Sequence, residues 1–299
     1  IGILSPASWH WEIAQLGTFL AGGVVVGLDP HDQLESYRQI LIQTKLKALF
    51  IENSALKNKF LPLEKEFGVQ ILDMNFENDN LDTYKNQSLE ASWPKPEAPA
   101  IIIFTSGTTS LPKGIEYSHQ ALHIAVKSIT ECLKEIPDGS ASICWLPMSN
   151  LFQRIVNFCS VSISGQIYYI DNPIDVLRSL NKVNPTIFVA VPRLYEKIYD
   201  GALHKIRKSR LTHFVFSIAM FIGHRRAQLI QKGKPVGILT RALFRVASFF
   251  VLNSIKSIFG KKILFLVSGS APLRKEILDF FHACDLLILE AYGTSENIV

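Results

Sequence analysis

The 299-residue sequence predicts an α/β protein with parallel or mixed sheets covered by helices. Three observations carry that expectation. Short β-branched runs alternate with helix-length amphipathic stretches, which is the rhythm of βαβ units. Several apolar runs are uninterrupted, as in strands buried on both faces. Hydrophobic residues make up 48% of the chain against 19% charged, with a mean hydropathy of +0.20, which excludes a disordered, collagenous or tail-like chain.

A helix expected over residues 11–20 precedes a buried strand at 23–28, where Gly-Val-Val-Val-Gly-Leu is apolar throughout. Helices at 34–44 and 56–67 lead into strands at 48–51 and 69–72. Residues 73–99 carry Asn, Asp, Pro and Lys with few aliphatics and read as a linker between two sub-structures, about 1–72 and 100–299. Periodicity returns with a central strand at 100–105 (Ala-Ile-Ile-Ile-Phe-Thr). Further strands are expected at 141–146, 166–170, 186–190, 263–267 and 286–289. Helices are expected at 120–135, 174–183, 192–205 and 273–283.

No apolar run reaches the roughly 18 residues that cross a bilayer, so an integral membrane protein is not expected. Cys132, Cys144, Cys159 and Cys284 show neither C-x-x-C pairing nor metal-like spacing to histidine. That argues against a disulfide framework or structural zinc and for a reducing cytoplasm.

Charge is unevenly placed. The 31 basic and 26 acidic residues give +5, yet residues 201–262 hold thirteen Lys and Arg and no Asp or Glu. A +13 segment therefore sits in a body of net charge −8. The same segment carries Phe214, Phe216, Ile218, Phe221, Phe244, Phe249 and Phe250. Basic and aromatic residues on opposite helix faces suit an anionic membrane interface. A solvated basic face over an ordinary helical core is the plainer alternative. No nucleic-acid-binding motif accompanies the charge, so a nucleic-acid partner is not expected.

The strand at 100–105 runs into Thr105-Ser106-Gly107-Thr108-Thr109-Ser110-Leu111-Pro112-Lys113-Gly114. Glycine lets backbone N–H groups approach phosphate oxygens, hydroxyls add donors, and Lys113 supplies a mobile positive charge. The spacing is not that of a Walker loop, and an ordinary Ser/Thr turn stays open. Two later strand ends carry Ser268-Gly269-Ser270-Ala271-Pro272 and Glu290-Ala291-Tyr292-Gly293-Thr294-Ser295-Glu296. Ligands of open α/β sheets sit at such carboxyl ends. There Tyr292 can stack on a base, Ser295 can donate to a phosphate and Glu296 can hold Mg2+. The duller alternatives are a core tyrosine and a solvated turn glutamate.

The three motifs together resemble the acyl-adenylate-forming superfamily, whose phosphate loop usually reads T-S-G-T-T-G-x-P-K-G. Ser110 is the one departure in that loop. The later motifs resemble the superfamily's S-G-G-A-P turn and Y-G-x-T-E motif, with Ser295 in place of threonine. A narrower likeness, to long-chain fatty acyl-CoA synthetases, comes from Leu146-Pro147-Met148-Ser149-Asn150-Leu151-Phe152-Gln153-Arg154 and from residues 185–197. Asn150 stands where those enzymes usually have histidine. In them an extra helical region falls where residues 201–262 lie.

The resemblance implies the large N-terminal domain of an adenylate-forming enzyme, incomplete here. ATP, Mg2+ and coenzyme A would serve activation of a fatty acid. Thr105, Ser106, Gly107, Thr108, Thr109 and Lys113 would hold the β- and γ-phosphates. Gly269, Ser270, Ala271, Pro272, Glu290, Ala291, Tyr292 and Gly293 would frame adenine, and Ser295 would touch the α-phosphate. Glu296 with the Thr105 hydroxyl would position the metal; Lys113 and Glu296 are the catalytic candidates. It also implies a ribose-binding aspartate, a hinge and a lysine-bearing C-terminal domain beyond Val299, so a fragment of a longer protein is expected. That protein is expected in the cytoplasm, or peripheral on the inner face of a membrane. An acyl-AMP or acyl-carrier-protein ligase and a non-catalytic nucleotide- or membrane-binding relative remain alternatives.

Overall fold

The computed structural model describes residues 1–74, 93–105, 112–207 and 210–297. The chain opens with a strand that periodicity did not predict, β1 (Gly2–Leu4), because three residues are too few to show alternation. Then follow α1 (Trp9–Leu20), β2 (Val25–Leu28), α2 (Leu34–Thr44), β3 (Ala48–Ile51), α3 (Ser54–Phe67) and β4 (Gln70–Asp73). The ends of α3 show why it stops and starts where it does. The Asn53 side chain accepts from the Leu56 N–H at 2.9 Å, and Gly68 closes the helix at φ 63°.

β5 (Pro99–Thr105) pairs parallel to β2, and β6 (Lys113–Ser118) pairs antiparallel to β5. The first sheet therefore runs β4-β3-β1-β2-β5-β6. Its boundary falls after β6 and not at residues 73–99, since the chain returns to the same sheet after that stretch. The edge strand β6 was not expected, as its start lies inside the presumed phosphate loop.

The second half is built from α4 (His119–Cys132), β7 (Ala141–Cys144), α5 (Leu151–Ser162), β8 (Gln166–Tyr169), α6 (Val176–Val183), β9 (Ile187–Ala190) and α7 (Pro192–Arg207). It continues through α8 (Arg210–Gln231), α9 (Ile238–Ala247), a π-helical turn at Ser248–Leu252, α10 (Asn253–Lys256), β10 (Phe265–Gly269), α11 (Lys275–Ala283) and β11 (Leu287–Ala291). β7 pairs with β8, and β11-β10-β9 form a separate parallel sheet. The two are joined at their amino ends, where Thr186 N–H donates to the Ala141 carbonyl at 2.8 Å. Further along, the Trp145 indole N–H bridges to the Val189 carbonyl at 2.8 Å.

Buried side chains sort these elements into layers. Leu4, Val26, Leu28, Tyr37, Ile40, Phe60 and Leu63 pack α2 and α3 on one face of the first sheet. On the other face Ile3, Ile101, Ile103, Trp11, Leu122 and Ile155 place α1, α4 and α5 between the two halves. Cys144 of β7 faces that middle layer, while its neighbour Ile143 faces the core with Phe188, Leu266 and Phe281. Helices α6 to α11 cover that outer side. The middle layer thus has a sheet on each side, and its helices must satisfy their polar groups internally.

In the outer layer α8 lies close against α11. A Cβ placed on Gly223 would come within 2.3 Å of the Ala283 carbonyl oxygen. Gly223→Ala should therefore lower the unfolding free energy by about 1–3 kcal/mol, read from a denaturant melt. An unchanged midpoint would mean that α8 does not rest on α11 in solution.

Candidate active site

β10 and β11 run side by side with Ser268 opposite Glu290 and Gly269 opposite Ala291. Their carboxyl-end turns consequently emerge together. Along these strands alternate residues face opposite ways. Phe188, Leu266 and Ile288 enter the core, while Ile187, Val189, Val267 and Leu289 wall a cavity of about 1140 Å³. That exceeds the roughly 300–1,000 Å³ of an ordinary small-molecule pocket. Thr105, Ser270, Ala291, Tyr292 and Ser295 line one part; the limb between α4 and α5 is mainly apolar, with Ile129, Leu133, Val156, Cys159 and Ile163 beside Thr130, Ser142 and Ser160. Burial pushes the Cys159 thiol up to about 12, so it behaves there as a small hydrophobe.

The structure brings seven of the sequence candidates together. Thr105, Ser270, Glu290, Ala291, Tyr292, Gly293 and Ser295 all line this one cavity. Tyr292 is 95% exposed, which removes the reading of a core tyrosine. Lys113 is the register partner of Thr105 across the β5–β6 pair, but its side chain is exposed and outside the lining. Gly269, Ala271, Pro272 and Glu296 likewise flank the cavity without lining it. Ser106, Gly107, Thr108, Thr109 and Ser110 lie outside the described residues.

Local geometry explains the turns. The Glu290 carboxylate accepts the Leu273 N–H at 3.1 Å, bracing the 268–273 turn from the neighbouring strand. Ser270 sits at φ +70°, a left-handed conformation that costs most residues strain. A Cβ on Gly269 would fall 2.5 Å from the Phe152 ring, so that ring presses on the turn's backbone. The Tyr117 hydroxyl donates to the Ser295 carbonyl, tying β6 to the β11 turn. Burial, with the Glu296 carboxylate nearby, raises the Tyr117 hydroxyl above its ordinary range and keeps it a donor.

Behind the cavity runs a polar network that motif reasoning did not reveal. Gln153 Oε1 accepts the N–H groups of Leu146 and Trp145 at 3.1 and 3.4 Å, fixing the chain as it leaves β7. Its amide donates to Asn157 Oδ1 at 2.9 Å, and Asn157 donates to Glu12 Oε1 at 2.7 Å. Gln15 donates to Glu12 Oε2 at 3.0 Å and accepts from the buried Arg154 guanidinium. Burial raises the Glu12 carboxyl despite these donors and Arg154, and pushes Arg154 down to about 10. Asp29 and Asp32, at the carboxyl end of β2, also line the cavity and were not anticipated. Burial beside Asp29 raises the Asp32 carboxyl. Asn150 begins α5 on the cavity wall and makes no side-chain cap.

Near the turn after β11 the described residues offer one carboxylate, Glu296, which is exposed. Among the described residues no cluster of three or more His, Cys, Asp or Glu could cage a metal. Mg2+ commonly uses one or two carboxylates with substrate phosphates and its own waters, and Glu296 beside Ser295 offers one such carboxylate. Two substitutions test the geometry. Gln153→Leu leaves two buried N–H groups without an acceptor and should cost about 1–3 kcal/mol in a denaturant melt. Ser270→Gly should stabilise the fold by about 1 kcal/mol, and a loss of stability would contradict the left-handed turn.

Comparison with known proteins gives the family and the fold. Residues 1–299 match the family described as AMP-binding enzyme. The long-chain-fatty-acid–CoA ligase ACSBG2 of Homo sapiens is 28% identical over 326 residues, covering 99% of this chain and 48% of that enzyme. The peroxisomal long chain acyl-CoA synthetase 6 of Arabidopsis thaliana is 30% identical over 207 residues, 68% of this chain and 28% of that enzyme. The chain spans about half the length of the first of these and less of the second. Among solved structures, the N-terminal domain of FACL13 from Mycobacterium tuberculosis superposes with a TM-score of 0.68 at 14% identity, covering 99% of this chain and 62% of that one. The o-succinylbenzoate CoA synthetase of Bacillus subtilis gives 0.68 at 18% identity over 100% of this chain and 49% of that one. The fold is the one shared by those two structures, and the chain belongs to the AMP-binding enzyme family.

Proposed function

We propose that the protein containing this chain activates a long-chain fatty acid with ATP and passes the acyl group to coenzyme A. One observation carries the reading furthest: a single cavity joins a polar mouth at the ends of β5, β10 and β11 to a mainly apolar limb between α4 and α5. A nucleotide suits the mouth, and an unbranched hydrocarbon suits the limb. The long-chain ligases among its relatives support the same substrate class.

A carboxylate is a poor acyl donor because oxide is a poor leaving group. In the proposed first step a carboxylate oxygen attacks the α-phosphorus of ATP, the bond to the β-phosphate bridge breaks, and pyrophosphate leaves. In the second the coenzyme A thiol, losing its proton, attacks the acyl carbonyl and AMP departs. The protein's part is positioning and charge stabilisation. Tyr292 would stack on the adenine, with the 269–272 turn and residues 290–291 framing it. Ser295 would donate to the α-phosphate. Residues 105–109 and Lys113 would hold the β- and γ-phosphates. Mg2+ held by Glu296 and Thr105 would neutralise phosphate charge.

No helix among the described residues is long and apolar enough to cross a membrane. An anionic membrane surface is proposed as the further partner, because residues 201–262 combine basic charge with aromatic side chains. A cytoplasmic protein bound peripherally to the inner face of a membrane fits that reading.

Pyrophosphate exchange tests the activity. The full protein should exchange labelled pyrophosphate into ATP only with a fatty acid present, and Lys113→Ala should slow it roughly a hundredfold or more. Absence of exchange with short-, medium- and long-chain acids would overturn the enzyme reading. Thioester formed with coenzyme A rather than carrier protein is the expected acceptor result.

A further inference from the structure

Helix α8 is apolar on two opposite faces, and only one of them has a partner. Phe216, Ala219, Met220 and Gly223 are buried against the outer core. Leu211, Phe214, Ile218 and Phe221 recur every three or four residues on the reverse face, and all are exposed; Phe214 is 63% and Phe221 68% accessible. α9 repeats the pattern. Phe244 and Ala247 are buried, while Ile238 (86% accessible), Leu239, Leu243 and Val246 face outward. A helix apolar all round is normally enclosed, and exposed apolar patches of this kind mark interaction sites.

Charge identifies the occupant. Arg210 and Arg225 bracket the outward stripe of α8, and Arg241 and Arg245 lie one turn apart on the flank of α9 between its buried and outward faces. Two basic residues of the segment are already engaged: Arg226 and Lys256 bind the Asp285 carboxylate at 2.7 and 3.1 Å. Burial would raise that carboxyl, but the two hydrogen-bonded cations outweigh it and hold it below its ordinary range. Arg226 also lies 4.3 Å from the centroid of the Phe244 ring, clamping α9 to α8. Asp285, the sole acid in these contacts, thus fixes the helices from their inner side, and neither α8 nor α9 carries an acidic residue on its outward side. Such a face is complementary to acidic headgroups over acyl chains, and among the described residues no helix, the 22-residue α8 included, qualifies as a membrane span.

We infer that α8 and α9 lie in the interface of an anionic bilayer, with Leu211, Phe214, Ile218 and Phe221 of α8 and Ile238, Leu239 and Leu243 of α9 entering the acyl region and the flanking arginines at headgroup level. This rests on the membrane partner proposed with the activity and deepens it by naming the side chains that enter lipid.

Flotation of the full protein with equimolar phosphatidylglycerol–phosphatidylcholine vesicles, beside pure phosphatidylcholine vesicles, tests it. The protein should float with the anionic vesicles and not the neutral ones. Phe214→Asp with Phe221→Asp should cut the partition coefficient at least tenfold while leaving the thermal melt and pyrophosphate exchange unchanged. Arg241→Gln with Arg245→Gln should weaken binding and reduce its salt dependence. No flotation by the unaltered protein overturns the membrane partner itself. Flotation that survives the two aspartates overturns only the inserted face. A dimer in light scattering that those aspartates dissolve, without flotation, assigns the face to a second copy and overturns the inference.

Discussion

The amide of Gln153 carries more of this structure than its size suggests. It accepts the N–H groups of Trp145 and Leu146 where the chain leaves β7, and it does so inside a helical layer with a sheet on either side. Both N–H groups are buried and need an acceptor, which this side chain supplies. The same residue hands the network on to Asn157, Glu12, Gln15 and Arg154 and so ties α5 to α1. Where α5 begins, Asn150 stands on the cavity wall and Phe152 presses on Gly269. The position of the second sheet's turns relative to the first sheet follows from that contact and from Tyr117 holding Ser295.

This constraint also explains what the sequence concealed. The strands of 100–105, 186–190 and 263–267 are apolar on both faces, and their runs predict them well. The candidates that line the cavity at the ends of β5, β10 and β11 stood out because small residues and hydroxyls collect at strand ends, where an α/β sheet binds ligands; the roles given to them came from the family resemblance. Helix α5 was not legible. Its buried positions are Gln153, Arg154, Asn157 and Ser160 as well as Leu151 and Ile155, so no apolar stripe marks it. Glu12 and Gln15 sit one turn apart on α1 with nothing in their own neighbourhood to signal partners more than a hundred residues away. Asp29 and Asp32 belong to no motif, and only the fold brings them to the cavity.

Division of labour between the two ends of the cavity follows from the same architecture. The outward face of β9, β10 and β11 is apolar along its length and becomes polar only where the strands end. A ligand with a charged head and a hydrocarbon tail meets both environments without unpaired polar groups in the limb. The basic, aromatic segment lies on the far side of that sheet, against α11, and none of its described residues lines the cavity. The proposed lipid contact and the proposed chemistry would therefore lie on different faces of one domain.

That the mouth and the limb form one continuous site is the central claim, and a linked ligand tests it most directly. Calorimetric titration of the full protein with a non-hydrolysable palmitoyl-adenylate analogue should give an affinity at least about a hundredfold above that of AMP or palmitate alone. Val156→Trp, which fills the limb, should abolish that gain and leave AMP binding intact. An analogue that binds no tighter than AMP, or one indifferent to Val156→Trp, would contradict the account.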